Sequence, residues 1–287
     1  MDKAIIVDRL SSKVLKKISF TIQAGELVGI IGPNGAGKTA VMKVLAGLSP
    51  STSGFVSVLD FDPYQRNQNF LKQISLVLGQ HIELWWDLPA VATFELNRSL
   101  YQIPEREYKK NLDQLISLFN VSKILKIPVN KLTPIQRAKM EMVASLIHKP
   151  KVLLLDEPLL KDFVFDYNRE YGTTILLSSS YIGDFTNLLR RIIIINEGSI
   201  LFDGAMEEIT TKFATEKIIK ATFSEEIDIK SIANIGVVKK YSFPQIYISV
   251  PRTTITFAAA ELLQNYPVVN LSIEEFSIEE IIKNIIK

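Results

Sequence analysis

The 287-residue chain is long enough, at roughly 150 residues per domain, for about two domains, one with a substantial core. Its 47% apolar and 22% charged residues exclude a mainly disordered state, and 33 basic against 31 acidic residues (net +2) speak against a nucleic-acid binder. The absence of cysteine excludes disulfides, thiolate zinc sites and thiol nucleophiles together.

In chain order, the apolar run Ala4–Val7 is too short for a signal peptide. The runs Val152–Leu155 and Ile192–Ile195 fall far below the ~18 residues of a membrane span, so a soluble, cytosolic chain is expected. Residues 1–60 read as strands broken by turns: Lys17–Ile22 alternates, and Glu26–Ile31 is an apolar run leading into Gly32. Thr39–Leu48 is helical and is closed by Gly47 and Pro50. From Leu88 to Lys149 the period is helical, with Leu112, Leu115, Ile116 and Phe119 on one face. Strands return at Lys151–Leu155, Thr174–Leu177 and Arg191–Ile195. This alternation predicts an α/β fold with a mostly parallel sheet, and the block at about 81–150 reads as an inserted helical subdomain.

The polar stretch Thr210-Thr211-Lys212 marks an expected boundary, giving domains 1–212 and 213–287. Beyond it come a strand at Ile246–Val250, a helix at Thr254–Gln264 and a strand at Val268–Ile273. An amphipathic helix follows, carrying Ile278, Ile281, Ile282, Ile285 and Ile286 on one face and opened by the Ser277/Glu280 capping box. The second domain is therefore expected to be a small α+β unit.

Gly32-Pro33-Asn34-Gly35-Ala36-Gly37-Lys38-Thr39 fits G-x-x-x-x-G-K-[ST] between a strand and a helix. Glycines let backbone N–H groups turn toward a phosphate, and the helix N-terminus adds about half a positive charge. Asn34, Gly35, Ala36, Gly37, Lys38, Thr39 and Ala40 are thus the expected phosphate cradle. Lys38 reaches the β- and γ-phosphates, and Thr39 ligates Mg²⁺. Val152–Leu155 then delivers Asp156 for the Mg²⁺ shell and Glu157 as a general base for water.

With these motifs the chain resembles the ATP-binding subunit of an ABC transporter over roughly residues 1–212, with ATP and Mg²⁺ as the implied cofactors. A closer resemblance is to the ABC-2 exporter type, through Gly79-Gln80, Leu84-Trp85-Trp86-Asp87-Leu88-Pro89, Tyr167-Asn168-Arg169-Glu170 and the C-terminal Leu271–Glu275. The resemblance implies a P-loop NTPase core, two such subunits sandwiching ATP, and membrane subunits as partners. The chain would then lie on the cytoplasmic face of the membrane and bind no nucleic acid. Gln80 would join the Mg²⁺ shell and sense the γ-phosphate. Trp85 and Trp86 could also be ordinary core residues.

Several family features are altered. The trans-acting signature, LSGGQ or LSLGQ in relatives, reads Leu132-Thr133-Pro134-Ile135-Gln136. Ile135 stands where glycine permits close approach and Pro134 lacks an N–H, although Thr133, Pro134 and Gln136 still make a good helix start. Ser180 stands at the position of the switch histidine; it can donate a hydrogen bond but cannot titrate near neutrality. Leu159-Leu160-Lys161-Asp162 replaces the T-x-G-L-D loop, and the path to Ser180 is about ten residues short, nearly three helical turns. No aromatic residue precedes Phe20 to stack on adenine. The resemblance thus implies an exporter subunit that binds MgATP, hydrolyses it poorly alone and pairs with a competent ATPase. The alternatives are a fully active ATPase with a compensated site and a non-transport regulatory ABC protein.

Overall fold

The computed structural model describes residues 2–79, 84–160, 162–181, 183 and 189–286. It divides into two compact units, Met1–Gly204 and Ala205–Lys287.

The first unit opens with β1 (Lys3–Ser11), β2 (Ile18–Gln23) and β3 (Leu27–Ile31), followed by α1 (Lys38–Leu45) and β4 (Ser53–Val58). Strands β2, β1 and β4 form an antiparallel sheet. Next come α2 (Gln68–Leu71), β5 (Ile74–Leu78) and three longer helices: α3 (Ala90–Leu100), α4 (Glu105–Phe119) and α5 (Pro134–Leu146). The chain continues through β6 (Val152–Asp156), α6 (Asp162–Tyr171), β7 (Thr174–Ser179), β8 (Arg191–Asn196) and β9 (Ser199–Ala205). A six-stranded sheet runs β5-β6-β7-β3-β8-β9, with parallel pairing from β5 through β8.

The registry explains the burial. Every residue of β6 and β7 is buried, as expected for inner strands of a parallel sheet covered on both faces. Val41, Met42, Val44 and Leu45 of α1 share one core with Ile5, Leu10 and Ile22 of the antiparallel sheet and with Leu154 and Leu176 of the parallel one. That packing fixes the start of α1 beside the C-terminal ends of β3, β6 and β7, where a doubly wound sheet places ligands. Helices α3, α4 and α5 lie between β5 and β6 in sequence, where the helical block was expected.

The second unit contains α7 (Met206–Phe213), β10 (Glu216–Phe223), β11 (Val237–Ser242), β12 (Gln245–Pro251), α8 (Ile255–Asn265), β13 (Val268–Glu274) and α9 (Ile278–Ile286). Its four-stranded antiparallel sheet runs β11-β12-β10-β13. Ile219, Ala221 and Phe223 of β10 meet Ile246, Ile248 and Val250 of β12 under Ala258 and Leu262 of α8. Two of these strands, β10 and β11, were not singled out in the sequence. The division also falls at Gly204/Ala205, earlier than the 212/213 boundary expected, because α7 packs on α9 and so travels with the second unit. The Ser277/Glu280 capping box is formed: Glu280 N–H donates to Ser277 Oγ at 3.3 Å, and Ser277 N–H donates to Glu280 Oε2 at 3.1 Å.

His148 joins the helices to the sheet of the first unit. Its ring stacks on Tyr101 at 3.8 Å and 2°, and Nε2 lies 3.0 Å from the Ile74 carbonyl oxygen at the head of β5. That carbonyl requires the proton on Nε2, and Nδ1 has no partner among the described residues. Burial pushes the ring down to about 4. The unfolded chain therefore takes up a proton below about 6.5 that the folded chain refuses down to about 4. The contribution is complete above pH 6.5 and is lost as the pH falls to 4, on the order of 3 kcal/mol. Urea unfolding at pH 7.5 and pH 5 should show a fall in stability that is smaller in His148→Phe, which keeps a ring and removes the titration.

Candidate functional site

Strand β3 ends at Ile31 and the chain turns through Gly32–Gly37 into α1. Gly35 has φ +83° and Gly37 +110°, conformations a side chain rarely adopts. A Cβ on Gly37 would lie 2.8 Å from Leu15 Cδ2, whereas one on Gly35 would meet open space. A Cβ on Gly32 would lie 2.1 Å from the Ile195 carbonyl oxygen, so the loop needs glycine at Gly32 for room and at Gly35 and Gly37 for backbone sign. It borders a cavity of about 370 Å³ lined by Asn34, Gly35, Lys38, Thr39, Asp156 and Glu157, with Val14 and Gly79 at its margin.

Lys38 is only 6% exposed, yet its ammonium is fully occupied. It donates to Gly32 O at 2.8 Å and Pro33 O at 3.2 Å, and pairs with Glu157 Oε1 at 3.3 Å. Thr39 Oγ1 donates to Asp156 Oδ2 at 2.7 Å. The loop lysine and hydroxyl thus meet the strand-end Asp156 and Glu157, residues 117 and more positions away in sequence. Gly79 closes the site from the side: its N–H donates to Asp156 O at 2.9 Å, and a Cβ there would lie 2.5 Å from Glu157 O. Within the loop, the Ala36 N–H is spent on Pro33 O at 3.1 Å and its side chain is buried, so Ala36 shapes the cradle. Ala40 packs against the core below.

Ser180 is placed beside the acids, its Oγ donating to Glu157 Oε2 at 3.4 Å. The two Glu157 oxygens are therefore shared between Lys38 and Ser180. Gln80, expected in the metal shell, lies outside the described residues, as do His81 and Lys161. Helix α6 begins at Asp162, soon after the acidic turn, which accounts for the shortened path to β7. The sequence does not single out Ser178, whose hydroxyl donates to Asp156 Oδ1 at 2.5 Å, or Val14, half exposed and lining the cavity.

The Leu132–Gln136 segment is a closed cap. Gln136 N–H donates to Thr133 Oγ1 at 3.3 Å and Thr133 N–H donates to Gln136 Oε1 at 3.0 Å, with Pro134 at the first helical position. Leu132 is buried and Ile135 stands 62% exposed. Trp85 and Trp86 are each 47% exposed, so neither is a core residue. The Arg137 guanidinium sits 4.3 Å from the Trp86 ring centroid, and Asn130 N–H donates to Trp86 O at 2.9 Å. Trp85 instead lines a groove of about 600 Å³ of mixed character, with Leu76, Leu78, Leu96 and Leu100 beside Arg66 and Glu141. Leu78, at the end of β5, borders both groove and phosphate cavity.

A parallel sheet that turns through a glycine loop into a helix, opposite a strand-end Asp-Glu pair, defines a P-loop nucleotide-binding domain. The chain belongs to the ABC transporter family, whose family model, described as "ABC transporter", matches residues 15–160. A second model, "EvrA-like ABC transporter, C-terminal domain", matches residues 215–274, the span from β10 to β13. The chain is 28% identical over 207 residues to the ABC transporter ATP-binding protein NatA of Bacillus subtilis, covering 69% of this chain and 84% of that one. It is 29% identical over 231 residues to the daunorubicin resistance ATP-binding protein DrrA3 of Streptomyces coeruleorubidus, covering 76% and 73%. It is 24% identical over 290 residues to the linearmycin resistance ATP-binding protein LnrL of Bacillus subtilis, covering 95% and 93%. Among solved structures, an ATP-binding subunit of an ABC transporter superposes with a TM-score of 0.65 at 22% identity, covering 73% of this chain and 93% of that one. CbiO1 from Clostridium perfringens gives 0.67 at 21%, covering 74% and 92%. The last two establish the fold.

Proposed function

We propose that the chain is the ATP-binding subunit of an ABC-2-type exporter, that it binds MgATP, and that it hydrolyses ATP poorly on its own. The observation that carries the first half is the Lys38–Thr39–Asp156–Glu157 constellation at a left-handed glycine loop. The donor set suits magnesium, because Thr39 and Asp156 offer only oxygen ligands beside a cavity large enough for phosphates and water. Bound there, the ion would neutralise charge on the phosphates. Lys38 would leave the loop carbonyls for the β- and γ-phosphates, and Glu157, released from Lys38, would orient and accept a proton from the attacking water.

Poor hydrolysis is supported by the departures around that core. Ser180 reaches Glu157 but carries no positive charge, and Ile135 projects a branched side chain where close backbone approach is needed. ABC ATP-binding subunits work with membrane subunits. Two copies of this chain would carry both defects at both sites, so a competent second ATPase is the favoured partner. The exporter type is supported by the likeness to relatives named as drug-resistance ATP-binding proteins. Among the described residues no helix is long and apolar enough to cross a membrane, consistent with a place on the cytoplasmic face against separate membrane subunits. The groove at Trp85 is where such a subunit would dock, one strand end away from the phosphates. One observation favours a compensated, active site: Ser180 still donates to Glu157.

Titration of the purified chain with a fluorescent ATP analogue and Mg²⁺ tests the binding half. Saturable binding displaced by ATP is expected, and no binding overturns it. Leu100→Asp, which places a charge in the groove from a residue 64% exposed, should leave that binding unchanged and reduce co-purification with the membrane subunits several-fold.

A further inference from the structure

Ser178 lies opposite Asp156 in the parallel register of β6 and β7 and is completely buried. Its hydroxyl donates to Asp156 Oδ1 at 2.5 Å and accepts the Glu157 N–H at 3.1 Å. The other carboxylate oxygen, Oδ2, accepts from Thr39. The two hydroxyls differ in access. Thr39 lines the cavity and is exposed, whereas Ser178 cannot reach solvent or any cavity-bound group. When Thr39 turns to a metal ion, Ser178 is the donor that still holds Asp156. The Glu157 N–H is shared between that hydroxyl and the Ser178 carbonyl oxygen at 3.2 Å, so the backbone at Glu157, with φ 50°, keeps a partner on β7 whatever side chain stands at 178.

We propose that Ser178 is a positioning residue for the metal-site acid: it fixes the Asp156 carboxylate with Oδ2 toward Thr39 and the metal site. The inference rests on the MgATP reading and deepens it. A hydroxyl suits the task because it donates to one acid while accepting from the backbone of the next. Alanine would leave Oδ1 buried without that donor and free the carboxylate to rotate. Partners that orient a metal ligand are commonly worth about 10–100-fold in metal affinity.

The experiment is a Mg²⁺ titration of nucleotide binding, followed with a fluorescent ATP analogue and repeated in EDTA. Ser178→Ala is expected to raise the half-saturating Mg²⁺ concentration about tenfold or more and to leave binding in EDTA unchanged. In an Asp156→Asn background the same substitution should have no further effect on the Mg²⁺ requirement. If thermal unfolding shows that Ser178→Ala does not fold, Ser178→Cys, similar in shape and a weaker donor, carries the same expectation. An unchanged Mg²⁺ requirement, or an effect that simply adds to that of Asp156→Asn, overturns the inference while the MgATP reading stands. Absence of Mg²⁺-dependent binding in the wild type overturns both.

Discussion

Lys38→Ala is expected to weaken MgATP binding by about tenfold or more, because each charge-assisted hydrogen bond lost is worth ~1.5–3 kcal/mol. In the structure the ammonium is buried and held by two loop carbonyls and Glu157. The same bonds that hold it ready also brace the loop, so part of the loss would come from a slackened cradle. Thermal unfolding of the variant separates the two contributions: a retained melting temperature assigns the loss to phosphate contact. Isothermal titration calorimetry measures it, and equal affinities for wild type and Lys38→Ala would contradict the assigned role.

Turnover is the second large effect. A donor placed at charge developing in a transition state is often worth ~2.7–4 kcal/mol, a factor of about 10² to 10³. Ser180 cannot supply the positive charge of a histidine, and in the proposed reading exposed Ile135 would stand where an opposing subunit needs the close approach glycine allows. Groups that act as a unit lose their effect together, so their restoration should not be additive. Ser180→His alone should leave the rate low, and Ile135→Gly alone likewise. The double variant should exceed the sum of the singles wherever two subunits can still close. Steady-state phosphate release from the four proteins makes the comparison.

The phosphate loop and the strand-end acids were legible because their chemistry is contiguous in sequence: Gly35, Gly37 and Lys38 sit in one turn, and Asp156-Glu157 ends an unbroken apolar strand. Ser178 was not, since one serine in a run of three becomes special only through its register with Asp156. The tryptophan pair was ambiguous for a related reason. Neighbouring apolar residues suggest burial, but Trp85 opens onto a groove while Trp86 carries Arg137. In the second unit, β10 hides its alternation because two adjacent isoleucines and Ala221 blur the period of two, and β11 carries the consecutive lysines 239 and 240 of a charged edge strand. Their partners define them, and partners are distant in sequence. The boundary shifted for the same reason, α7 being claimed by α9 from the far end of the chain.

Slow hydrolysis beside an intact phosphate loop is decided by one comparison: ATP turnover of the purified chain alone, wild type against Glu157→Gln, at saturating MgATP. A wild-type rate close to that of Glu157→Gln, with both proteins binding nucleotide, is the expected result. Robust turnover by the wild type, abolished by Glu157→Gln, would contradict it and make Ser180 part of a working motor.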